Sequence, residues 1–509
     1  MKKASILLLA GILSLFTVVS AQTIKQSEII IPKYSKWHFA PHMNQCIEGT
    51  GSNHLVYNSD YNYSDTKSST TDCLFSLAKD DFSCHKTLIT HHPNFVFIHA
   101  FETSDGIVAF YRLLDKDQKA YKIYMNSISK DDNTGTWDPD EILTLPYEKK
   151  DNLGIAYAES PDKKQRVMAF FQSQRKGIAK NNVVMAFDED CKILWESNLD
   201  LSDFNQEFYQ ILDVAINNEG MVFAGIYAYD APNNTSRSNN ALLMFEITDN
   251  AVSNAYKDIT CNISNGKMSV GKNGNIYVGG YYYTDLKKNE NGSYIYTYNP
   301  SSSSFKAIAQ QDFPAEYKEK GGGSILLGYY PNQTYSVVPK AIYEFDNGSV
   351  ALLGELRYVL AVTNSQGMTS YYFLTKNVLL SQTDADGEFA RFDMFTRAAS
   401  AVANRPGNFF DLLHVTYTPF FKNNHIYITY ADNLDNYAGK SGVAYRGIKN
   451  GCETLMTIDE KGEGNVQKLA SLKENKYRIN QTLFVDNDGL YITTIDKKSM
   501  SIAKMALEF

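Results

Sequence analysis

Asn273-Gly-Asn-Ile-Tyr-Val-Gly-Gly-Tyr281 reads as a tight turn followed by a strand: Asn-Gly is a hairpin pair, and the residues after it are β-branched, aromatic or small. The pattern recurs along the chain. Upstream lie Gly51-Ser-Asn-His-Leu-Val-Tyr57, Asp105-Gly-Ile-Val-Ala-Phe-Tyr111 and Glu219-Gly-Met-Val-Phe-Ala-Gly-Ile-Tyr227. Downstream lie Asn347-Gly-Ser-Val-Ala-Leu-Leu-Gly-Glu355, Asn424-His-Ile-Tyr-Ile-Thr-Tyr430 and Asp488-Gly-Leu-Tyr-Ile-Thr493. A copy without glycine, Lys164-Gln-Arg-Val-Met-Ala-Phe-Phe171, fills the gap between residues 106 and 220. Each copy is followed by a second hairpin, such as Val183-Val-Met-Ala-Phe-Asp-Glu-Asp190, Leu379-Leu-Ser-Gln-Thr-Asp-Ala-Asp-Gly387 or Leu455-Met-Thr-Ile-Asp-Glu-Lys-Gly462. Two hairpins per repeat make a four-stranded sheet, the unit of a β-propeller.

The spacing of the copies supports one array. Gly51, Gly106, Lys164, Gly220 and Gly274 are 54 to 58 residues apart, and Gly348, Asn424 and Gly489 follow at 74, 76 and 65. The expected fold is therefore all-β: a β-propeller of four-stranded blades, eight of them, with seven as the alternative. A strand from Ser27-Glu-Ile-Ile-Ile-Pro-Lys33 is expected to close the last blade and remove its exposed edge. The wider late spacing predicts insertions around 313–340, 397–411 and 433–451. An outer-membrane barrel fits less well, because strands such as Met221-Val-Phe-Ala-Gly-Ile-Tyr227 are apolar on both faces instead of alternating.

Residues 1–21 read as a signal peptide: Lys2 and Lys3, an apolar run from Ile6 to Val19, then Val19-Ser20-Ala21 before Gln22. Residues 22–509 are then a single exported propeller domain, periplasmic, outer-membrane associated or secreted, with no later apolar stretch of spanning length. The net charge of −8, with both signs well mixed, argues against a nucleic-acid partner, which needs concentrated Lys and Arg.

Six cysteines in 509 residues are few for a disulfide framework. Cys73 and Cys84 flank a hairpin with its turn near Lys79-Asp80, so a disulfide between them is expected unless the register slips by one residue. Seven of the nine histidines fall between residues 38 and 99, and His91, His92 and His99 are the weak candidates for a zinc or copper site. Their spacing matches no tight ligand motif, so structural or solvated histidines, no metal and no cofactor are the expectation. The acidic run Asp131-Asp-Asn-Thr-Gly-Thr-Trp-Asp-Pro-Asp-Glu141 lacks the ligand order of a calcium loop and reads as a solvated turn.

Glu355 stands out. It follows Gly354 in an otherwise apolar strand, and Arg357, two positions on, shares its face. A carboxylate there must be paired or wet, since a lone buried charge is costly. Pairing with Arg357 is the plainer role; a ligand-facing or catalytic acid in a central channel is the sharper one. Exposed aromatics of the insertions, Tyr329, Tyr330, Tyr335 and Phe409, suit contacts with a glycan or protein.

The segments Asn347 to Glu355, Asn377-Val-Leu-Leu380 with Asp384-Ala-Asp-Gly387, and Asn424-His-Ile-Tyr-Ile-Thr-Tyr-Ala-Asp-Asn433 carry a resemblance. In them the second half of the chain resembles uncharacterised exported β-propeller-like proteins of Bacteroidota. That resemblance implies a secreted or cell-envelope propeller and brings no activity or site residues. Two functions follow as expectations. One is a binding or scaffolding module for a protein or glycan of the cell envelope. The other is a glycan-active hydrolase or lyase using acids of the central channel, with Glu355 as the candidate.

Overall fold

The computed structural model describes residues 24–27, 45–47, 51–63, 70–81, 83–174, 178–204, 206–230, 239–283, 291–314, 336–403, 416–437, 451–471, 478–486, 489–496 and 499–506. These form eight four-stranded antiparallel sheets. In chain order, seven of them are consecutive meanders spanning 45–91, 96–146, 152–198, 208–259, 262–312, 336–403 and 418–471. The eighth takes Arg478–Asp486, Gly489–Asp496 and Ser499–Ala506 from the end of the chain and its fourth strand, Ile24–Ser27, from the beginning. Ile24 pairs with Met505 and Ser27 with Ile502, so the two termini close one sheet. The closing strand thus precedes the expected one and shares only Ser27 with it; residues 28–33 lie outside the described residues.

Each sheet turns one edge inward. First strands of successive sheets are neighbours: Asn152–Glu159 with Phe208–Ile216, then Asn262–Val270, Ser336–Glu344, Thr418–Lys422 and Arg478–Asp486. Arg478–Asp486 in turn meets Gln45–Ile47, which meets Val96–Glu102. Stacking of His99 on Tyr157 joins Val96–Glu102 to Asn152–Glu159 and completes the circuit. The molecule is a β-propeller, with the first strands as its inner wall.

Burial explains the composition of the strands. Second strands lie between neighbouring sheets and are apolar on both faces, so that Val222–Tyr229 is buried throughout. Outer strands such as Val252–Ile259 face solvent along most of their length. Three turns before second strands use left-handed backbone at glycine, Gly220, Gly274 and Gly348 at φ +81°, +78° and +82°, whereas the turn at Gly106 does not. Copies without a glycine put Lys163 (φ +59°) or Asn423 and Asn424 (φ +47° and +59°) in its place. This is why the motif survives there in weakened form.

The wide late spacing is only partly insertion. In the sixth sheet, Val350–Thr363, Thr369–Thr383 and Phe389–Ala403 are 14, 15 and 15 residues long, against 8 for Val222–Tyr229. Much of the extra chain therefore lengthens one hairpin, and the first residues of the 397–411 segment continue its outer strand. The remaining insertion residues, 315–335, 404–415 and 438–450, lie outside the described residues.

Candidate functional site on the inner wall

First strands carry β-bulges at matching heights. Ladder pairing skips a residue between Phe97 and His99, Ile211 and Asp213, Ile263 and Asn265, and Pro339 and Ala341. A bulge bends the strand and re-aims its side chains. In the sixth sheet the cause is legible: Pro339 has no N–H to give the ladder, and Lys340 beside it becomes the extra residue.

Lys340 thereby reaches a charged cluster around Glu355. The Glu355 carboxylate is fully buried. Its Oε2 accepts from Arg357 Nε at 2.8 Å and from the Thr416 hydroxyl at 2.8 Å, while Oε1 accepts from Arg397 Nη1 at 2.7 Å. Thr416 in turn accepts from Lys340 Nζ at 2.9 Å and from Arg357 Nη2 at 3.2 Å. The rings of Tyr417 and Tyr430 lie 5.9 and 5.3 Å from the Arg397 guanidinium, and Lys340 Nζ lies 5.1 Å from the Tyr417 ring. Burial alone would push the Glu355 carboxyl up; Lys340, Arg397 and Arg357 outweigh it and hold it below the usual glutamate range. Gly354 is glycine because the Tyr281 hydroxyl of the fifth sheet occupies the space a Cβ would need.

Other wall residues continue the arc. Lys267 Nζ lies 3.2 Å from Asp213 Oδ2, which also accepts from the Met268 N–H at 3.1 Å. Burial raises the Asp213 carboxyl despite Lys267. Tyr157 is 43% exposed, yet enclosure by protein raises its phenol pKa, against an opposing effect of Lys267. His99 stacks on it with ring centroids 3.7 Å apart, and burial lowers the imidazole to about 3, so it is neutral.

The Glu355–Arg357 pair thus stands as the spacing implied. Arg397, Lys340 and Thr416 were missed, because they come from an outer strand, a bulge and the bend that leads into the next sheet. The Pro339-Lys340 step was the one sequence signal available. Tyr329, Tyr330, Tyr335 and Phe409 lie outside the described residues.

The histidines do not converge. His91 is buried with Nε2 3.0 Å from Asp72 Oδ2 and its ring stacked 4.4 Å from Trp137. The Tyr57 and Tyr111 hydroxyls meet the same carboxylate and each other, a buried network between the first two sheets. His92 is exposed, and His99 is on the inner wall. No group of three or more metal-ligating side chains forms among the described residues. The acidic turn is a stitch between sheets: Gly135 N–H donates to Leu88 O at 2.9 Å, and Thr87 donates to Asp132 O.

The expected disulfide is not formed. Cys84 pairs with Leu77, and Cys73 pairs with Leu88, four positions along the ladder. Roughly 3.4 Å per residue separates them far beyond the span of about 7 Å that a disulfide tolerates. The turn sits at residues 79–81, centred two residues later than a Cys-to-Cys register needs, and both side chains are thiols. Alkylation of denatured, unreduced protein is expected to label both; a mass two hydrogens short with neither labelled would restore the bridge.

Among the described residues, no helix is long and apolar enough to cross a membrane. No family model and no curated protein matches the chain. Among solved structures, it is similar to the beta-propeller domain of the trilobed protease from Pyrococcus furiosus, at 10% identity over 85% of this chain and 98% of that one, TM-score 0.37. It is similar to an unknown-function protein from Dyadobacter fermentans, at 10% identity over 70% and 96%, TM-score 0.33. The WD40 domain of SCAP from fission yeast matches at 7% identity over 96% and 95%, TM-score 0.34.

Proposed function

We propose that this protein is exported and serves as a binding module for a protein or glycan partner of the cell envelope. The leader-like residues 1–21 support export. The observation that carries the binding reading is the state of Glu355. A general acid must hold a proton near neutral pH and reach its substrate. Glu355 is fully buried, clamped by two guanidiniums and a hydroxyl, and kept ionised. It orders cations instead of moving protons.

One observation favours the runner-up, a hydrolase or lyase. Asp213 is a wall carboxylate whose pKa is raised by burial, as proton donors require. The two readings separate on a glycan array followed by product analysis. Binding without turnover, unchanged in kind by Asp213→Asn, is the expected result. Turnover that Asp213→Asn abolishes while the Tm holds would replace the module with an enzyme.

A further inference from the structure

Two lysines stand on the inner wall, Lys340 and Lys267, and two arginines lie behind it, Arg357 on the second strand and Arg397 on the outer strand of the sixth sheet. Lys340, Arg357 and Arg397 surround one carboxylate, Glu355, and Lys267 approaches from the fifth sheet facing Asp213, four cations to two anions. Lys340 is half-buried, and among the described residues its ammonium has one hydrogen-bond partner, Thr416, for three donors. The Tyr417 ring, 5.1 Å from Lys340 Nζ, is buried in the core between the sixth and seventh sheets and backs the ammonium. Farther round the wall, the His99–Tyr157 stack offers an apolar ring face, with Tyr157 43% exposed.

We infer that the channel binds an acidic saccharide, its carboxylate or phosphate oxygens accepting from Lys340, and a sugar ring lying against Tyr157. The inference rests on the binding-module reading and gives it a ligand class. Lys267 adds attraction from across the wall; Arg357 and Arg397, tied to Glu355, orient the cluster. Burial lowers Lys340 to about 8, against an opposing pull from Glu355 and with Arg357, Arg397 and Lys267 adding to the depression. Binding should therefore weaken as pH rises through that value.

Titration calorimetry of the full chain with glucuronate, glucose 6-phosphate and glucose tests this. Binding of either acidic sugar, with glucose at least about tenfold weaker, is the expected result; which of the two binds tells carboxylate from phosphate. Lys340→Gln and Lys267→Gln should each weaken the acidic sugar about tenfold, and Tyr157→Ala should weaken it without changing its salt dependence. Lys267 is 45% exposed, so its variant keeps the test valid should Lys340→Gln fail to fold. Equal binding of glucose, no binding of any of the three, or indifference to both lysine variants would overturn the inference. Array binding that persists in Lys340→Gln, Lys267→Gln protein would sink the channel ligand and leave the binding module standing.

Discussion

Glu355→Gln is expected to destabilise the protein by about 3–5 kcal/mol, the cost of leaving buried charges without their partner. The substitution keeps size and one carbonyl acceptor, so packing changes little. What it removes is the negative charge facing Arg397, Arg357 and Lys340, with Arg397 fully buried. The cluster joins the sixth sheet to Thr416 and Tyr417 at the entry to the seventh, so the loss should appear as a lower Tm for the whole domain. Adding Arg397→Met to Glu355→Gln should recover part of it, since each residue is costly mainly in the absence of the other. A cycle without coupling between them would show that the pair holds nothing together.

The same cluster fixes a pH dependence. Glu355 has a folded-state pKa below its ordinary 4.5, so its contribution is fully present above that value and is lost as pH falls through the lower folded one. Wild type should therefore lose Tm more steeply than Glu355→Gln below about pH 4.5, the two curves converging in acid. Parallel curves would mean the carboxylate is not ionised in the native state.

How much of this was legible follows from what each contact depends on. The repeat is local chemistry: a left-handed turn, then residues that tolerate burial on both faces, and both leave marks at fixed spacing. The Glu355–Arg357 pair is local too, since period-two alternation puts both on one face. Arg397 and Thr416 are 42 and 61 positions from Glu355, and only the stacking of strands and sheets brings them there. The Cys73–Cys84 expectation failed on a register that no composition rule fixes. The lengthening of Val350–Thr363 and Thr369–Thr383 lies outside the expected insertions, because spacing counts residues and not what they form. Bulges were invisible except at Pro339, yet they aim His99, Asp213 and Lys340.

Within the Asn273–Tyr281 motif, two glycines are expected to respond differently to alanine, and Gly280→Ala to be the more damaging at about 3 kcal/mol. At Gly274 a Cβ would meet nothing within 4 Å, and the only obstacle is φ +78°. Alanine there should cost about 1–2 kcal/mol, and asparagine, which tolerates left-handed backbone, less. A Cβ at Gly280 would instead run into the backbone carbonyl of Asn265, with Gly266 Cα at 2.9 Å and the Tyr294 hydroxyl at 2.8 Å. Backbone cannot swing aside as a side-chain tip can, so the first strand of the fifth sheet must move. That strand is tied outward: Asn265 Nδ2 donates to Val337 O at 2.6 Å in the sixth sheet, three residues from Lys340. The displacement should therefore lower both Tm and any affinity of the channel for acidic sugars, while Gly274→Ala lowers Tm alone. Tyr294→Phe removes only the hydroxyl and should rescue Gly280→Ala incompletely. Full rescue would show that the tyrosine, not the Asn265 backbone, is the obstacle, and an unchanged Tm in Gly280→Ala would refute the close approach itself.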